Sequence, residues 1–187
     1  MELGELLEVF KRSFDPQGFL DQKHQEERFR IGQEALIRFF NIEESRASQP
    51  LYIEKDFSFP CENNRISGRF DRIDQEDDGI VIMDFKTSQI KTQKDADKRV
   101  NESLQLKLYA FAYQNIFGIL PKRVELYFLE SGIIGATEVE EEDLEEVKEK
   151  INLVSSGIRK QEFQALPSYL ACTYCAYNQI CPQAIIR

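Results

Sequence analysis

The chain has 187 residues, of which 42% are hydrophobic and 30% charged, and its formal net charge is −9. A folded, soluble protein with an apolar core is expected from this composition. No segment approaches the roughly 18 uninterrupted apolar residues of a membrane helix, and the N-terminus lacks the basic and apolar regions of a signal peptide. We therefore expect a cytoplasmic protein with no membrane partner.

The first 50 residues predict two helices separated by a break. The first helix is amphipathic, because its apolar residues recur at spacings of three and four: Leu3, Leu6, Leu7, Phe10 and Phe14. The segment Asp15-Pro16-Gln17-Gly18 then interrupts the helix. A second helix is expected from about residue 20 to residue 40, with these core candidates: Phe29, Leu36, Phe39 and Phe40.

Residues 51–160 predict a sheet and further helices. Three extended segments are expected at about 51–59, 65–74 and 80–86, and the last two are joined by Asp77-Asp78-Gly79, a strong hairpin signal. A helix is expected over 104–117, a buried strand over 123–129, a short strand to Val139, and an amphipathic helix over about 144–158. A cysteine-rich tail follows at 161–187. The order predicts a single α/β domain with a central mixed sheet flanked by helices.

Two carboxylates and a lysine are predicted to converge at the hairpin. Side chains alternate between the two faces of a strand, so Asp84 and Lys86 lie on one face of the third strand. Asp71 lies on the preceding strand, which the hairpin places alongside. An unpaired carboxylate at the end of such an apolar strand is costly to bury, and the ammonium of Lys86 is expected on the same side of the strand.

Such a cluster suits the cleavage of a phosphodiester bond. A divalent cation relieves the repulsion between two carboxylates, polarises the phosphate and lowers the pKa of a bound water. Oxygen ligands select Mg²⁺ or Mn²⁺, and a nearby lysine stabilises developing negative charge. The alternative is an incidental salt bridge between a strand-end aspartate and a lysine, since Asp-x-Lys is a common tripeptide.

The wider context resembles one nuclease family. The segments 68–74 (GRFDRID), 84–87 (DFKT) and 105–109 (QLKLY) occur in that order around the Asp-Gly hairpin. Together they resemble the RecB-like branch of the PD-(D/E)XK nucleases, which includes the nuclease domains of RecB, AddB and UvrD-like helicase–nucleases and the CRISPR adaptation nucleases. The resemblance runs from Glu54 to the last cysteine. It implies a restriction-endonuclease-like core that acts on DNA.

The resemblance implies a role for each residue of these motifs. Asp71 and Asp84 would ligate Mg²⁺ or Mn²⁺, together with the backbone carbonyl of Phe85, and Lys86 would be the catalytic lysine. The family also has a Q-x3-Y motif, which positions DNA or the lysine. Gln105 and Tyr109, four residues apart on one helical face, would match it.

Two positions fit the family pattern less closely. Glu54, expected at the end of the first strand, would match an early metal-binding glutamate, or it is an exposed strand residue. Many members carry a metal-binding histidine on the first helix, whereas His24 falls on the second predicted helix and is interpreted as a polar surface residue. Two carboxylates and a carbonyl still suit Mg²⁺, which normally keeps several waters.

Three cysteines near the C-terminus, Cys172, Cys175 and Cys181, have the spacing C-x2-C-x5-C. Without a secretion signal, clustered cysteines bind metal more often than they form disulfides. They match a RecB-like subset in which an upstream fourth cysteine completes a [4Fe–4S] cluster. Cys61 is not at the family position, so three alternatives stay open: a fourth ligand outside this sequence, Cys61 itself as fourth ligand of a cluster or zinc site, or free cysteines.

The expected macromolecular partner is DNA. Non-specific DNA affinity comes from Lys and Arg, and the chain is acidic, but the acid is concentrated in 138–149 while 86–107 is richer in base. We expect an exonuclease-like deoxyribonuclease of a repair or recombination machine, whose partner is a helicase domain or subunit. Two alternatives remain: a nuclease-fold binding or scaffold module without activity, and a structural domain with a metal-binding tail.

Overall fold

The computed structural model describes residues 2–46 and 48–186. Its internal contacts group into two compact units, one reaching to Lys148 and the other beginning at Glu149. The first unit contains the sheet and the predicted catalytic residues. Within the described ranges, no helix is long and apolar enough to cross a membrane.

A five-stranded mixed sheet forms the centre of the first unit. Its strands are β1 (Gln49–Cys61), β2 (Asn64–Glu76), β3 (Gly79–Lys86), β4 (Arg123–Phe128) and β5 (Ile133–Glu138), and they lie in the order β1-β2-β3-β4-β5. Neighbouring strands are antiparallel except β3 and β4, which are parallel. A parallel pair needs a long crossover connection, and helices supply it here. The predicted mixed sheet flanked by helices is confirmed.

The helices in the described residues are α1 (Leu3–Ser13), α2 (Gln22–Ser45), α3 (Gln93–Asn101), α4 (Leu104–Phe117), α5 (Glu141–Arg159) and α6 (Tyr169–Thr173). Both ends of α4 fall where the sequence predicts them. Ser103 caps its first turn by accepting a hydrogen bond from the backbone N–H of Leu106, and Gly118 ends it in the left-handed conformation. Helix α2 continues five residues beyond its predicted end near residue 40.

Helix α3 has no apolar stripe, so the sequence does not predict it. Its buried side chains are only Ala96 and Val100, one turn apart, and the other side chains of the helix are polar or charged. Gly135 of β5 lets the helix approach the sheet closely, since a Cβ there would lie 2.6 Å from the backbone carbon of Ala96. The helix is therefore held by a close approach of its backbone to the sheet rather than by a broad apolar face.

Helices α2 and α4 pack on opposite faces of the sheet. The ring of Phe39 on α2 lies 5.9 Å from that of Phe85 and 5.6 Å from that of Tyr127. Gln105 on α4 contacts Asp84, the residue before Phe85. Because consecutive strand residues point to opposite faces, β3 presents its catalytic candidates to α4 and its aromatic side chain to α2.

The α2 face of the sheet carries a buried network of ion pairs that the sequence does not predict. Arg72 Nε donates to Asp74 Oδ1 at 2.6 Å and Arg72 Nη1 donates to Glu43 Oε2 on α2 at 2.5 Å. Arg46 Nη2 lies 3.1 Å from Glu125 Oε2 on β4. Arg72, Asp74 and Glu125 are all buried. The network therefore ties α2 to β2 and β4.

The second unit begins within α5 and contains the cysteine-rich tail. Ser168 caps the short helix α6 by accepting a hydrogen bond from the backbone N–H of Ala171. This unit exposes many large apolar side chains, namely Leu153, Val154, Ile158, Phe163, Leu166, Tyr169, Leu170, Tyr174, Tyr177, Ile180 and Ile185.

Candidate active site

Asp71 and Asp84 lie next to each other at the end of the β2–β3 ladder. The last described pair of that ladder is Arg72 with Met83, so the next positions in the same antiparallel register are Asp71 and Asp84. Asp71 Oδ2 accepts a hydrogen bond from the backbone N–H of Phe85 at 3.0 Å. The predicted approach of these two carboxylates is present in the structure, and the hairpin at Gly79 produces it.

Lys86 approaches Asp84 from two residues further along β3. Its Nζ lies 2.6 Å from Asp84 Oδ2, and the side-chain exposures are 34% for Lys86 and 3% for Asp84. Despite this distance, Asp84 Oδ2 accepts no well-directed hydrogen bond. The contact is therefore a close ion pair between a partly exposed ammonium and a buried carboxylate oxygen.

Gln105 joins the members of the cluster from α4. Its Oε1 accepts a hydrogen bond from Lys86 Nζ at 2.8 Å, and its Nε2 donates to Asp84 Oδ1 at 2.9 Å and to the hydroxyl of Tyr109 at 3.1 Å. One amide thus contacts three of the predicted residues. The predicted role of the Q-x3-Y pair, which is to position DNA or the lysine, stays a prediction; the contact of Gln105 with Lys86 is compatible with it.

The electrostatics of the cluster favour a bound cation. Burial raises the pKa of the Asp84 carboxyl above its usual value and the charge of Asp71 raises it further, although Lys86 acts in the opposite direction. Burial also raises the pKa of the Tyr109 hydroxyl, and the charges of Asp84, Asp71 and Glu54 raise it further. These effects show a concentration of negative charge that the lysine only partly offsets.

Glu54 occupies a different place from the one predicted. It lies in the middle of β1 rather than at its end, and its backbone has φ 51°, in the left-handed region. Its Oε2 accepts a hydrogen bond from Arg69 Nη1 at 3.3 Å, and Arg69 also pairs with Asp56. Glu54 is thus an exposed strand residue held by an arginine, whose charge nevertheless reaches Tyr109.

The donor set fits a hard divalent cation. Asp71 and Asp84 are the two acidic residues of the cluster, and no group of three or more His, Cys, Asp or Glu side chains arranged to hold a metal occurs in the described residues. A Mg²⁺ site needs no more than two carboxylates from the protein if a backbone carbonyl and several waters complete it. The buried oxygen of Asp84 without a directed donor, and its raised pKa, are what such a cation would relieve.

The cysteines are free thiols that lie in two different units. Cys61 is buried at the end of β1, and burial raises the pKa of its thiol. Cys172 is buried in α6, and Cys175 and Cys181 are partly exposed in the tail. Within the part of the chain that the structure describes, these three tail thiols do not form a metal-binding group. The cluster therefore stays a prediction from their spacing.

The sequence as a whole matches a known family model, that of the PD-(D/E)XK nuclease superfamily, over residues 1–182. The chain belongs to this superfamily. Asp84-Phe85-Lys86 has the D-x-K spacing that the superfamily's name contains, and the roles of Asp71, Asp84 and Lys86 stay predictions. The family predicted from these motifs is confirmed, and the family supports a nuclease-type function.

Two relatives that match this chain are much longer proteins. They are ATP-dependent helicase/nuclease subunits of Thermoanaerobacter sp. (strain X514) and of Thermoanaerobacter pseudethanolicus (strain ATCC 33223 / 39E), each 27% identical over 88 residues. Those residues are 47% of this chain and 7% of each relative. Among solved structures, SSO0001 aligns over 97% of both chains with a TM-score of 0.45 and 14% identity.

Sequence reasoning missed Arg69 and the buried ion network around Arg72. Arg69 stands in the quoted 68–74 motif, but only its placement on β2 opposite Asp56 shows what it contacts. Arg72 and Asp74 alternate with the buried Ile73, a spacing that puts two opposite charges on one strand face. That alternation was the available signal.

Proposed function

We propose that the protein is a metal-dependent deoxyribonuclease. The observation that carries this proposal is the placement of the Gln105 amide, which contacts Lys86 and Asp84 beside Asp71. An incidental salt bridge between Asp84 and Lys86 would need no third partner from a neighbouring helix. Membership in the PD-(D/E)XK superfamily supports the same reaction class.

Asp71, Asp84 and the backbone carbonyl of Phe85 would hold Mg²⁺ or Mn²⁺. When bound, the cation neutralises the two carboxylates, polarises the scissile phosphate and lowers the pKa of an attacking water. Asp71 is oriented by the backbone N–H of Phe85 through Oδ2, which leaves its other oxygen, Oδ1, for the cation. Glu54 would be a further carboxylate near the site, since its charge acts on the Tyr109 hydroxyl and its neighbours Ile53 and Lys55 pair with Arg72 and Phe70, the residues on either side of Asp71.

Lys86 has the position of a group that stabilises charge on the phosphate. Its ammonium is partly exposed, so it contacts both a buried carboxylate and the open side of the site. Gln105 Oε1 accepts a hydrogen bond from one of its N–H groups and thereby restricts the directions of the other two. The Tyr109 hydroxyl in turn contacts Gln105 and holds the amide in place. These residues orient and stabilise, as transfer reactions at phosphorus require.

The wider role that fits best is nuclease activity within a DNA repair or recombination machine. The relatives that match this chain are helicase/nuclease subunits. A helicase domain or subunit is therefore the expected partner, and an exonuclease-like action on DNA ends is the expected activity. We propose that residues 1–187, with both compact units, make up the nuclease part. Those assignments rest on similarity over 88 residues.

A cleavage assay tests the proposal. End-labelled single- and double-stranded DNA is incubated with the protein in Mg²⁺, Mn²⁺ or EDTA, and Asp84→Ala and Lys86→Ala are compared with Asp78→Ala. Asp78 is a matched control, since it is an exposed aspartate paired with Lys122 at the hairpin turn. Cleavage is expected with metal for the natural protein and Asp78→Ala alone. Cleavage that persists in both site variants would contradict the assignment.

Two further outcomes of these experiments are informative. Binding of DNA without cleavage under any metal condition would favour a nuclease-fold binding or scaffold module. The [4Fe–4S] prediction for Cys172, Cys175 and Cys181 is tested by visible absorbance and iron analysis of protein purified without oxygen. A colourless protein that contains neither iron nor zinc by metal analysis would leave these residues as free cysteines.

A further inference from the structure

Strand β1 turns over part-way along its length. The ring of Tyr52 lies 5.8 Å from that of Phe117 on α4, and the ring of Phe57 lies 6.0 Å from that of Tyr109 on the same helix. Tyr52 and Phe57 are an odd number of positions apart and would point to opposite faces of a regular strand. Glu54 lies between them and has φ 51°, a left-handed conformation that is rare in strands. The alternation of β1 therefore reverses at or next to Glu54.

Strand β2 turns over at the same level. Arg72 donates a hydrogen bond to Glu43 on α2, whereas the ring of Phe70 lies 5.3 Å from that of Tyr109 on α4. Arg72 and Phe70 have one residue between them and would point to the same face of a regular strand. The residue between them is Asp71. The alternation of β2 therefore reverses around this predicted metal ligand.

Arg69 and Asp56 form an ion pair on the side of β1 and β2 that faces away from α4. They pair with each other across the ladder, and their neighbours Phe57 and Phe70 point to α4. Arg69 Nε donates to Asp56 Oδ1 at 2.6 Å and Nη2 donates to Oδ2 at 3.4 Å, so both carboxylate oxygens hold the guanidinium. The remaining nitrogen, Nη1, donates to Glu54 Oε2 at 3.3 Å. Asp56 thus fixes the arginine, and the arginine holds Glu54.

The contact with Arg69 turns the Glu54 carboxylate away from the predicted metal ligands. Asp84 accepts a hydrogen bond from Gln105 on α4, so its carboxylate lies on the α4 side. Glu54 instead bonds to Arg69 on the other side, where its side chain is 63% exposed. The ladder nevertheless places Glu54 beside Asp71, because the rungs on either side join the sequence neighbours of these two residues. A carboxylate that the backbone brings close to the site is thus held out of it.

We propose that Arg69 is a positioning residue that keeps the Glu54 carboxylate out of the predicted cation site and thereby influences which metal binds there. Release of Glu54 would add a third carboxylate to those of Asp71 and Asp84. In the described residues no group of three such side chains is arranged to hold a metal, which agrees with an arginine that withholds one of them. This inference rests on the proposed metal-dependent function and specifies the metal selectivity of that same site.

The number of carboxylates matters because divalent cations differ in the ligands they accept. Mg²⁺ needs octahedral geometry, keeps several waters and is usually bound by only one or two carboxylates. Ca²⁺ accepts about six to eight oxygen ligands in flexible arrangements, and its affinity depends on the number of charged ligands. A third carboxylate would therefore strengthen the binding of Ca²⁺ more than that of Mg²⁺. By holding Glu54, Arg69 would favour Mg²⁺.

Metal competition in the absence of DNA tests the proposal. Mn²⁺ bound to the protein is measured by electron paramagnetic resonance, and Ca²⁺ or Mg²⁺ is added until half of it is displaced. Arg69→Gln is expected to raise the affinity for Ca²⁺ relative to that for Mg²⁺ roughly two- to fivefold, the size expected of one exposed ion pair. The ratio separates position from charge, because both cations are divalent and gain equally from the loss of a nearby positive charge. An unchanged ratio in Arg69→Gln would overturn the proposal.

Two further variants show whether Arg69 acts through Glu54. In the double variant with Arg69→Gln and Glu54→Gln the ratio should match that of the natural protein, since no third carboxylate is available. Arg65→Gln removes the same charge from an exposed position of the same strand, opposite Pro60, and should leave the ratio unchanged. A rise that persists without the Glu54 carboxylate, or an equal rise in Arg65→Gln, would overturn the role of Arg69.

The competition assay is independent of catalysis. A natural protein that binds no Mn²⁺, or that binds it equally well after Asp84→Ala, would overturn the proposed cation site and this inference with it. Mn²⁺ binding with an unchanged ratio would overturn the role of Arg69 alone. A shifted ratio in a protein that never cleaves DNA would support the role of Arg69 and count against the proposed nuclease.

Discussion

The ammonium of Lys86 lies 2.6 Å from Oδ2 of Asp84 and occupies the space beside a buried carboxylate oxygen. The same oxygen has no well-directed hydrogen bond. A cation bound between Asp71 and Asp84 would approach this oxygen as well. Such a cation would compete with the lysine for Asp84, and the amide oxygen of Gln105, which accepts a hydrogen bond from Lys86 Nζ, is a second partner to which the ammonium could turn.

Replacing Lys86 with methionine should separate catalysis from metal binding. We expect DNA cleavage to fall at least about 100-fold, since one charge-stabilising donor is lost. Mn²⁺ affinity should rise, because no ammonium remains beside Asp84 Oδ2. Isothermal titration with Mn²⁺ and a cleavage assay measure the two effects. Lys98→Met is the control, since Lys98 is exposed and pairs only with Glu102 in the described structure; weaker Mn²⁺ binding by Lys86→Met would contradict the competition.

Gln105→Ala should reduce cleavage by about 10- to 100-fold while leaving the fold intact. This range is typical of residues that orient a catalytic or ligating group rather than react themselves. The control is Gln114→Ala, because Gln114 lies on the same helix and its amide donates a hydrogen bond to Glu141. Steady-state cleavage rates of both variants measure the effect on activity, and their thermal unfolding shows whether the fold is intact. Equal rates for the two variants would show that the Gln105 contacts are incidental.

Glu54 allows backbone strain and side-chain function to be measured separately. Glycine adopts φ 51° without the steric cost that a Cβ brings, so Glu54→Gly should be about 0.5–1 kcal/mol more stable than Glu54→Ala. Both substitutions remove the carboxylate, so they should reduce cleavage equally if Glu54 contributes to the site. Chemical denaturation and cleavage assays test the two statements.

Glu62 is the matched control for that comparison, because it has φ 52° in the turn between β1 and β2. Glu62→Gly and Glu62→Ala should reproduce the difference in stability without any change in cleavage. A loss of cleavage in the Glu62 variants would show that the shape of β1, rather than the Glu54 carboxylate, affects the site.

The approach of Asp71, Asp84 and Lys86 could be predicted because it depends on local rules. Strand alternation places Asp84 and Lys86 on one face, and an Asp-Gly turn fixes the partner strand, so Asp71 follows from the register. The position of Gln105 came from family resemblance instead. The periodicity of α4 does not show which residue of the sheet Gln105 will contact, and its partner Asp84 lies 21 residues earlier in the sequence.

Other features could not be predicted because they depend on contacts between distant segments. Helix α3 has too few apolar residues to show a period, and its packing depends on Gly135 of β5. The left-handed backbone at Glu54 is rare for a residue with a Cβ, so no sequence rule leads one to expect it within a strand. The partners of Arg72 include Glu43, which lies 29 residues earlier on α2.

Removal of Arg72 should be strongly destabilising. Arg72→Leu leaves Asp74, which is fully buried, and Glu43 with only the longer contacts of 3.9 Å to Arg46. Breaking a buried pair in this way costs about 3–5 kcal/mol. Chemical denaturation measures the free energy of unfolding. Arg69→Leu on the same strand is the control, because Arg69 is exposed and its ion pairs are screened by solvent, so it should change stability little. Equal effects would show that burial of the Arg72 network is unimportant.

Tyr127 gives the protein a distinctive sensitivity to high pH. Its buried hydroxyl has no hydrogen-bond partner, and burial, followed by the charge of Glu43, raises its pKa to about 12. The unfolded tyrosine loses its proton near pH 10, whereas the folded one retains it to about 12. The unfolded state therefore binds fewer protons in that interval, and the free energy of unfolding decreases as pH rises from about 10 to about 12.

Tyr127→Phe isolates this contribution. Phenylalanine keeps the ring contact with Phe39 and removes a hydroxyl that makes no hydrogen bond, so stability at neutral pH should be unchanged or higher. Between pH 10 and about 12 the variant should lose less stability than the natural protein, by up to about 1.4 kcal/mol for each pH unit. Denaturation curves of both proteins at several pH values give the difference, and the titration of all other groups cancels. Parallel curves would show that Tyr127 ionises as readily in the folded protein as in the unfolded chain.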